Sequence, residues 1–148
     1  MTSQDGAISL DEFRQAVDLQ VRCARAVDSR DWRTFEDCFT ADATTRLPRT
    51  GAHTDRAAMS TAVRQVVSRL SRTQHFLSNH SVERRDAGGL MIRSYVMSQH
   101  VRAVDGTEKT FLFGGQYTDI LERRDGDWRI RHRDLEIFWV QGDPTILD

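Results

Sequence analysis

The chain has 148 residues, of which 39% are hydrophobic and 29% are charged, and this balance is typical of a globular protein rather than a disordered or fibrous one. The 21 Lys and Arg residues and the 22 Asp and Glu residues give a formal net charge of -1, which provides little long-range attraction to nucleic acid. We therefore expect one domain over residues 1–148, with an ordered core at about 9–141 and no nucleic-acid partner.

The N-terminal segment MTSQDGAIS has no basic run followed by an apolar stretch, so a secretory signal peptide is not expected. No segment approaches the length of a membrane span. Cys23 and Cys38 have neither C-x-x-C nor zinc-ligand spacing, which favours ordinary thiols over a metal site. These features predict a cytoplasmic protein with no membrane partner and no metal.

The first part of the chain has the apolar period of amphipathic helices. Ser9 and Glu12 have capping-box spacing and predict a first helix at residues 10–28. Asp31 can cap a short second helix that includes the aromatic residue Phe39.

A brief strand is predicted at residues 44–47, where it ends at Pro48, and a polar loop is predicted at 48–53. Asp55 is the next good cap. The apolar residues behind it repeat at helical intervals as far as Leu70, which predicts a third helix.

From residue 73 onward the apolar period changes to two, and the apolar runs are separated by turns that contain glycine. The predicted strands occupy residues 73–85, 90–104, 109–123 and 128–140. Because the helices precede the strands, a doubly wound parallel fold is excluded. Long strands twist, so we predict an α+β fold in which three N-terminal helices cover a strongly curved mixed or antiparallel sheet with a hydrophobic pocket between them.

The densest basic stretch of the chain surrounds the last predicted turn and is interrupted by acidic residues. It comprises Arg123, Arg124, Arg129, Arg131 and Arg133. We interpret this stretch as a solvated strand face.

Successive side chains of a strand point to opposite faces, so residues two positions apart share a face. On this basis, three strands each place polar and apolar side chains that could line the pocket on one face. These are His75, Leu77 and Asn79 on the first long strand, Val96, Ser98 and His100 on the second, and Phe113, Gly115 and Tyr117 on the third. If those faces line the pocket, two imidazoles and a phenol converge on an apolar hollow, as in many small-molecule sites.

Three segments, RAVDSRDW, RTQHFLSNH and GGQYTDILERRDGDWRI, resemble the SnoaL-like group of the nuclear transport factor 2-like superfamily. Within that group the segments are similar to scytalone dehydratase and hexachlorocyclohexane dehydrochlorinase. The resemblance spans about residues 10–139 and implies the cone-shaped α+β barrel of the superfamily. The superfamily also holds isomerases, cyclases and non-catalytic binding modules, so the resemblance specifies fold more closely than reaction.

The resemblance implies an Asp-His pair at the pocket, formed by Asp28 and His75, with the histidine in proton transfer. A second histidine of scytalone dehydratase matches His100. Val27 stands where that enzyme has Tyr, and Tyr117 stands where it has Asn, so scytalone itself is not the expected substrate. Purely structural interpretations stay open, because Asp28 can end a helix and both histidines can be ordinary strand residues.

No nucleophile elbow, phosphate-binding loop, zinc motif or dinucleotide fingerprint occurs in the sequence. A His-Asp pair in an apolar pocket suits abstraction of a proton next to an activating carbonyl or leaving group. We predict a lyase of the dehydratase type that needs no cofactor and acts on a small hydrophobic, oxygenated molecule. His75 is the expected base, and either the same imidazolium or a second acid is expected to protonate the departing hydroxyl. His100 or Tyr117 is the candidate for that second acid or for the group that polarises a carbonyl.

Five residues are predicted to contact the substrate: Tyr117, Leu77, Val96, Phe113 and Asn79. Two alternatives stay open, an isomerase or cyclase of a polyketide or steroid-like substrate and a non-catalytic module that binds a hydrophobic ligand or serves as a scaffold. Exposed apolar residues on the convex sheet face, such as Phe138 and Val140, predict a homo-oligomer, either a dimer or a trimer.

Overall fold

Residues 6–148 are described here by a computed structural model of the chain, so the first five residues of the predicted domain lie outside the described part. Three α-helices precede the long strands: α1 (Leu10–Ser29), α2 (Trp32–Asp37) and α3 (Arg56–Val67). Six strands follow or are interleaved with them: β1 (Phe39–Leu47), β2 (Gly51–His53), β3 (Arg72–Arg84), β4 (Leu90–Val104), β5 (Thr107–Arg124) and β6 (Asp127–Gly142).

The helix starts follow from side-chain caps. The Ser9 hydroxyl accepts from the Glu12 N–H at 3.1 Å and the Glu12 carboxylate accepts from the Ser9 N–H at 3.0 Å, which is the predicted capping box. The Asp31 and Asp55 carboxylates cap α2 and α3 by accepting from the backbone N–H groups of Thr34 and Ala58. The buried side of α1 is the side that faces the sheet, and it ends at Val27.

The sheet has the strand order β2-β1-β6-β5-β4-β3. Strands β3 to β6 are joined as antiparallel hairpins, whereas β1 pairs in parallel with β6. The sheet is therefore open and mixed, and the predicted α+β fold with three helices on it is confirmed. All three α-helices lie before residue 72, as the change of apolar period predicts.

The connection between α2 and α3 differs from the prediction. The brief strand expected at residues 44–47 begins earlier, at Phe39, which was expected on the second helix. The loop expected at 48–53 contains a strand, because the chain turns back at residues 48–50 and residues 51–53 pair with β1, with Gly51 at a φ of +87°. The helix predicted as far as Leu70 ends at Val67.

Two clusters of buried apolar residues form the core. The larger lies between the three helices and residues of β1, β4, β5 and β6, and the smaller includes Phe111, Phe113 and Tyr117 on β5. The C-terminal 3-10 turn Pro144–Leu147 packs onto the smaller cluster through Ile146 and Leu147, both buried, so the packed core continues past the predicted end near residue 141.

Candidate active site

A cavity of about 280 Å³ opens between the helices and the concave face of the sheet. Its wall is mostly apolar and comes from all three helices, five of the six strands and the C-terminal turn. The polar or titratable side chains in that wall include Gln20, Cys23, Thr45, His75, His100, Tyr117 and Arg133. An apolar pocket with a few convergent polar groups is the usual form of a small-molecule site.

Asp28 and His75 meet at one end of this cavity. Asp28 lies in the last turn of α1, and His75 lies near the start of β3, which packs against α1. The distance from His75 Nδ1 to Asp28 Oδ1 is 2.7 Å. Because an ionised carboxylate only accepts hydrogen bonds, Nδ1 donates in this contact, and in the neutral imidazole Nε2 is the nitrogen that carries the lone pair.

Two further donors hold the Asp28 carboxylate. The backbone N–H of His75 donates to Oδ2 at 2.9 Å, and the Thr73 hydroxyl donates to Oδ1 at 2.9 Å. Burial acts to raise the pKa of Asp28, but the hydrogen bonds and charge of His75 and the bond from Thr73 outweigh it and hold the pKa below the ordinary value. The carboxylate is therefore charged at neutral pH and can stabilise a protonated His75 ring.

His100 lies beside His75, with the ring centroids 6.2 Å apart. Burial, together with the neighbouring His75, lowers the pKa of His100 to about 4, so its ring is neutral at pH 7. Its Nδ1 donates to the Phe111 carbonyl at 3.1 Å, and its Nε2 is 3.4 Å from the Ser98 hydroxyl. In this tautomer His100 can accept a hydrogen bond from a ligand but has no proton to give, which disfavours the acid role considered for it.

Tyr117 is a hydrogen-bond donor, in contrast to His100. Burial raises the pKa of Tyr117 to about 12, so the hydroxyl keeps its proton at neutral pH. Among residues 6–148 the hydroxyl makes no hydrogen bond, and the ring lies in the cavity wall. Tyr117 can therefore donate a hydrogen bond to a ligand oxygen.

Arg133 corrects the interpretation of the basic stretch as a solvated face. It lies in the cavity wall with its side chain 7% exposed, and it donates from Nε and Nη2 to Asp119 at 2.8 and 2.7 Å. An irregularity in the pairing of β5 with β6 shifts the register between Ile130 and His132, so that Arg133 and not His132 points inward.

A signal for this buried pair was present in the sequence. Asp119 alternates with Tyr117 and Leu121 along β5, which places a carboxylate on the inner face. A buried carboxylate needs a cation, and the paired residue on β6 is Arg133. The pair was missed because the bulge in β6 cannot be seen in the alternation.

The remaining predicted site residues divide between the wall and its surroundings. Phe113 lines the cavity. Leu77 and Val96 belong to the smaller apolar cluster beside it rather than to the lining. Asn79 is exposed and does not line the cavity, because a bulge between Ser78 and Ser81 interrupts the alternation on which its placement was based.

Among residues 6–148 no three His, Cys, Asp or Glu side chains are grouped so that they could hold a metal ion. Within the same residues, no helix combines the length and the apolar character that crossing a membrane requires.

A profile of the SnoaL-like domain matches residues 9–134. The curated relative "Terrestric acid biosynthesis cluster protein E" of Penicillium crustosum is 32% identical over 80 residues, which are 51% of this chain and 51% of the relative. The chain thus aligns with about half the length of that relative.

Solved structures share the fold at lower identity. An aromatic ring hydroxylase-like protein of Novosphingobium aromaticivorans is 21% identical, with a TM-score of 0.84 over 96% of this chain and 100% of that one. A scytalone dehydratase-like protein of the same species is 20% identical, with a TM-score of 0.80 over 89% and 87%. A type 2 hexachlorocyclohexane dehydrochlorinase is 20% identical, with a TM-score of 0.79 over 90% and 89%. These likenesses show the fold alone.

Proposed function

The chain belongs to the SnoaL-like domain family, and we propose that within it the protein is a lyase of the dehydratase type that uses His75 and Asp28 and needs no cofactor. The substrate class is a small hydrophobic, oxygenated molecule of secondary metabolism. The observation that carries this proposal is the Asp28 carboxylate at 2.7 Å from His75 Nδ1, at the wall of an otherwise apolar cavity. The biosynthetic-cluster relative supports the metabolic setting.

In the proposed reaction, His75 Nε2 takes the proton from the carbon next to a carbonyl. The electron pair of that C–H bond forms the new C=C bond, and the C–O bond to the hydroxyl at the β-carbon breaks. The His75 imidazolium returns its proton to the departing oxygen, so water leaves and the enzyme regains its starting state. Asp28 stabilises the imidazolium while it exists.

Tyr117 is the proposed donor to the substrate carbonyl. As the α-proton leaves, negative charge develops on that oxygen, and a fixed hydroxyl donor in an apolar cavity stabilises it. His100, neutral and with an accepting Nε2, positions a substrate hydroxyl. This division of roles follows from the two pKa values, about 12 for Tyr117 and about 4 for His100.

An isomerase is the second candidate, and one observation favours it. The imidazoles of His75 and His100 lie with ring centroids 6.2 Å apart, so a substrate held against His100 can present a second carbon to which the His75 imidazolium returns the proton. The two reactions differ in whether the product has lost water, which mass spectrometry of the product decides.

The proposal is tested by proton exchange and turnover on a panel of cyclic β-hydroxyketones. In deuterium oxide, NMR follows loss of the α-proton signal even where no water is eliminated. The His75→Ala variant is expected to slow exchange by about a hundred- to ten-thousand-fold. Asp28→Asn keeps the shape and removes the charge, and the double variant is expected to be little worse than the worse single variant, since the two residues act as a unit.

His132→Ala is the matched control, because His132 bonds Thr44 on the other side of the sheet and is absent from the cavity lining. Thermal unfolding of each variant separates lost chemistry from lost fold. Exchange by His75→Ala at the wild-type rate would remove the pair from the mechanism and favour the non-catalytic binding module.

A further inference from the structure

Gln20 is a buried amide with one unused hydrogen-bonding atom. It lies on α1 in the wall of the cavity and is fully buried. Its Nε2 donates to Asp119 Oδ2 at 2.8 Å. Because a carboxylate cannot donate, this bond decides which end of the amide is nitrogen, and the other end, Oε1, has no hydrogen-bond partner among residues 6–148.

Arg133 has unused donors in the same wall. Two of the five N–H groups of a guanidinium are bonded to Asp119 and a third reaches Cys23 Sγ at 3.4 Å, a weak acceptor. Two N–H groups therefore have no acceptor in the described part of the chain. Since Asp119 balances the Arg133 charge, the pair as a whole does not select for an anion.

Gln20 lies away from the His75 end of the cavity, and the Arg133 guanidinium, which shares the Asp119 carboxylate with it, lies over the Tyr117 ring, 4.1 Å from the ring centroid. Gln20 and Asp28 are both on α1, eight residues apart, which is about 12 Å along a helix axis. The cavity can therefore hold a ring compound with one end near Gln20 and the other end near His75. The cavity volume of about 280 Å³ is near the lower end for ligand pockets, which favours a molecule of two or three fused rings at most.

We propose that Gln20 and Arg133 form a hydroxyl-binding subsite, and that the substrate of the proposed reaction carries a hydroxyl group on the end remote from the reacting carbon. That this ligand is the substrate rests on the proposed function, whereas the binding of a hydroxyl group by Gln20 and Arg133 does not depend on it. A hydroxyl oxygen accepts from an Arg133 N–H while its proton is donated to Gln20 Oε1. A ketone oxygen or an ether leaves Oε1 unpartnered, and a carboxylate places a second negative charge beside Asp119.

Binding of three matched probes tests this subsite without any turnover: β-naphthol, its methyl ether and naphthalene. Dissociation constants come from titrations followed by intrinsic fluorescence or calorimetry. Wild-type protein is expected to bind β-naphthol about tenfold more tightly than naphthalene, since one satisfied buried hydrogen bond is worth about that factor. The methyl ether, which cannot donate to Gln20, is expected to bind more weakly than β-naphthol.

The Gln20→Met variant keeps the length of the side chain and removes the acceptor. It is expected to bind β-naphthol and naphthalene equally, whereas His75→Ala is expected to keep the tenfold preference. The opposite pattern, a preference lost in His75→Ala and kept in Gln20→Met, would show that the imidazoles bind the hydroxyl and would overturn the subsite. Equal binding of all three probes by the wild type would overturn it as well.

A measurement on the wild type covers the case in which Gln20→Met does not fold. The side-chain amide resonances of Gln20 are expected to shift with β-naphthol and to stay in place with naphthalene. Equal shifts with both probes contradict the proposal. If the wild type prefers β-naphthol to naphthalene but His75→Ala exchanges substrate protons at the wild-type rate, the subsite is supported and the proposed reaction is contradicted.

Discussion

Protonation of His100, which lies in the cavity wall, lowers the stability of the fold. Its pKa is about 4 in the folded chain and about 6.5 for an ordinary histidine, because the buried ring cannot be charged without loss of hydration. The unfolded chain therefore binds more protons than the folded chain between these two values. The contribution of the neutral ring to stability is complete above pH 6.5 and is lost as the pH falls toward 4.

We expect this one residue to remove about 3 kcal/mol of unfolding free energy between pH 7 and pH 4. Urea unfolding of the wild type and of His100→Gln at a series of pH values measures the effect. The unfolding free energy of the variant is expected to change less steeply with pH than that of the wild type. His80, whose pKa burial also lowers, contributes equally to both proteins and cancels in the comparison. Parallel slopes would contradict the proposed environment of His100.

At the scale of the strand, bulges decide which side chains reach the cavity. Asn79 has a φ of 55°, a left-handed conformation that Asn and Gly accept more readily than other residues. The pairing of β3 with β4 shifts at this point, from Ser78 opposite Tyr95 to Ser81 opposite Arg93. The residues after the bulge therefore have their faces exchanged relative to those before it.

This bulge predicts a specific tolerance at position 79. Asn79→Gly is expected to leave the unfolding free energy within a few tenths of a kcal/mol, whereas Asn79→Val is expected to lower it by about 1–2 kcal/mol, since a β-branched residue is strained there. Ser78→Val is the control, because Ser78 is exposed on the regular part of the strand and tolerates β-branching. Thermal or urea unfolding gives the values, and equal effects of both valines would contradict the bulge.

The same bulges explain why some parts of the structure could not be predicted from the sequence. The change from helical to alternating period placed the helices and long strands within a few residues, because that period reflects burial along each element. Asn79 and Arg133 were misplaced because a one-residue bulge reverses the alternation without leaving a clear pattern. The strand at residues 51–53 was missed because three polar or small residues carry no period. The Asp28 and His75 pairing was expected from the resemblance alone, since nothing local in either segment indicates it.

At the scale of the whole molecule, the outer face of the sheet carries an apolar patch. The outer patch comprises Phe76, Tyr95, Met97, Phe138 and Val140, with exposed fractions of 44% to 59%. The rings of Tyr95 and Phe138 touch edge to face across strands, with centroids 6.2 Å apart. Contiguous exposed aromatic residues of this kind usually mark an interaction surface.

We expect the protein to self-associate through the outer patch as a dimer or trimer. Phe138→Glu is expected to yield monomers at micromolar concentration, because it buries a charge at the centre of the contact. Leu10→Glu is the control, since Leu10 is 84% exposed on α1, away from the sheet. Analytical ultracentrifugation measures the mass of each, and a monomeric wild type, or a Phe138→Glu variant that still associates, would contradict this prediction.

The parallel contact between β1 and β6 also dictates when the fold can be completed during synthesis. Thr44 and its partner His132 are 88 residues apart in the chain, so a ribosome that adds about 5–20 residues per second makes β6 several seconds after β1. Throughout that interval the apolar sides of the helices and of β1 have no last strand to cover them. Because contacts of such long sequence separation form slowly, the nascent chain is exposed to aggregation until β6 has left the ribosome, and only then is the cavity that holds both histidines enclosed.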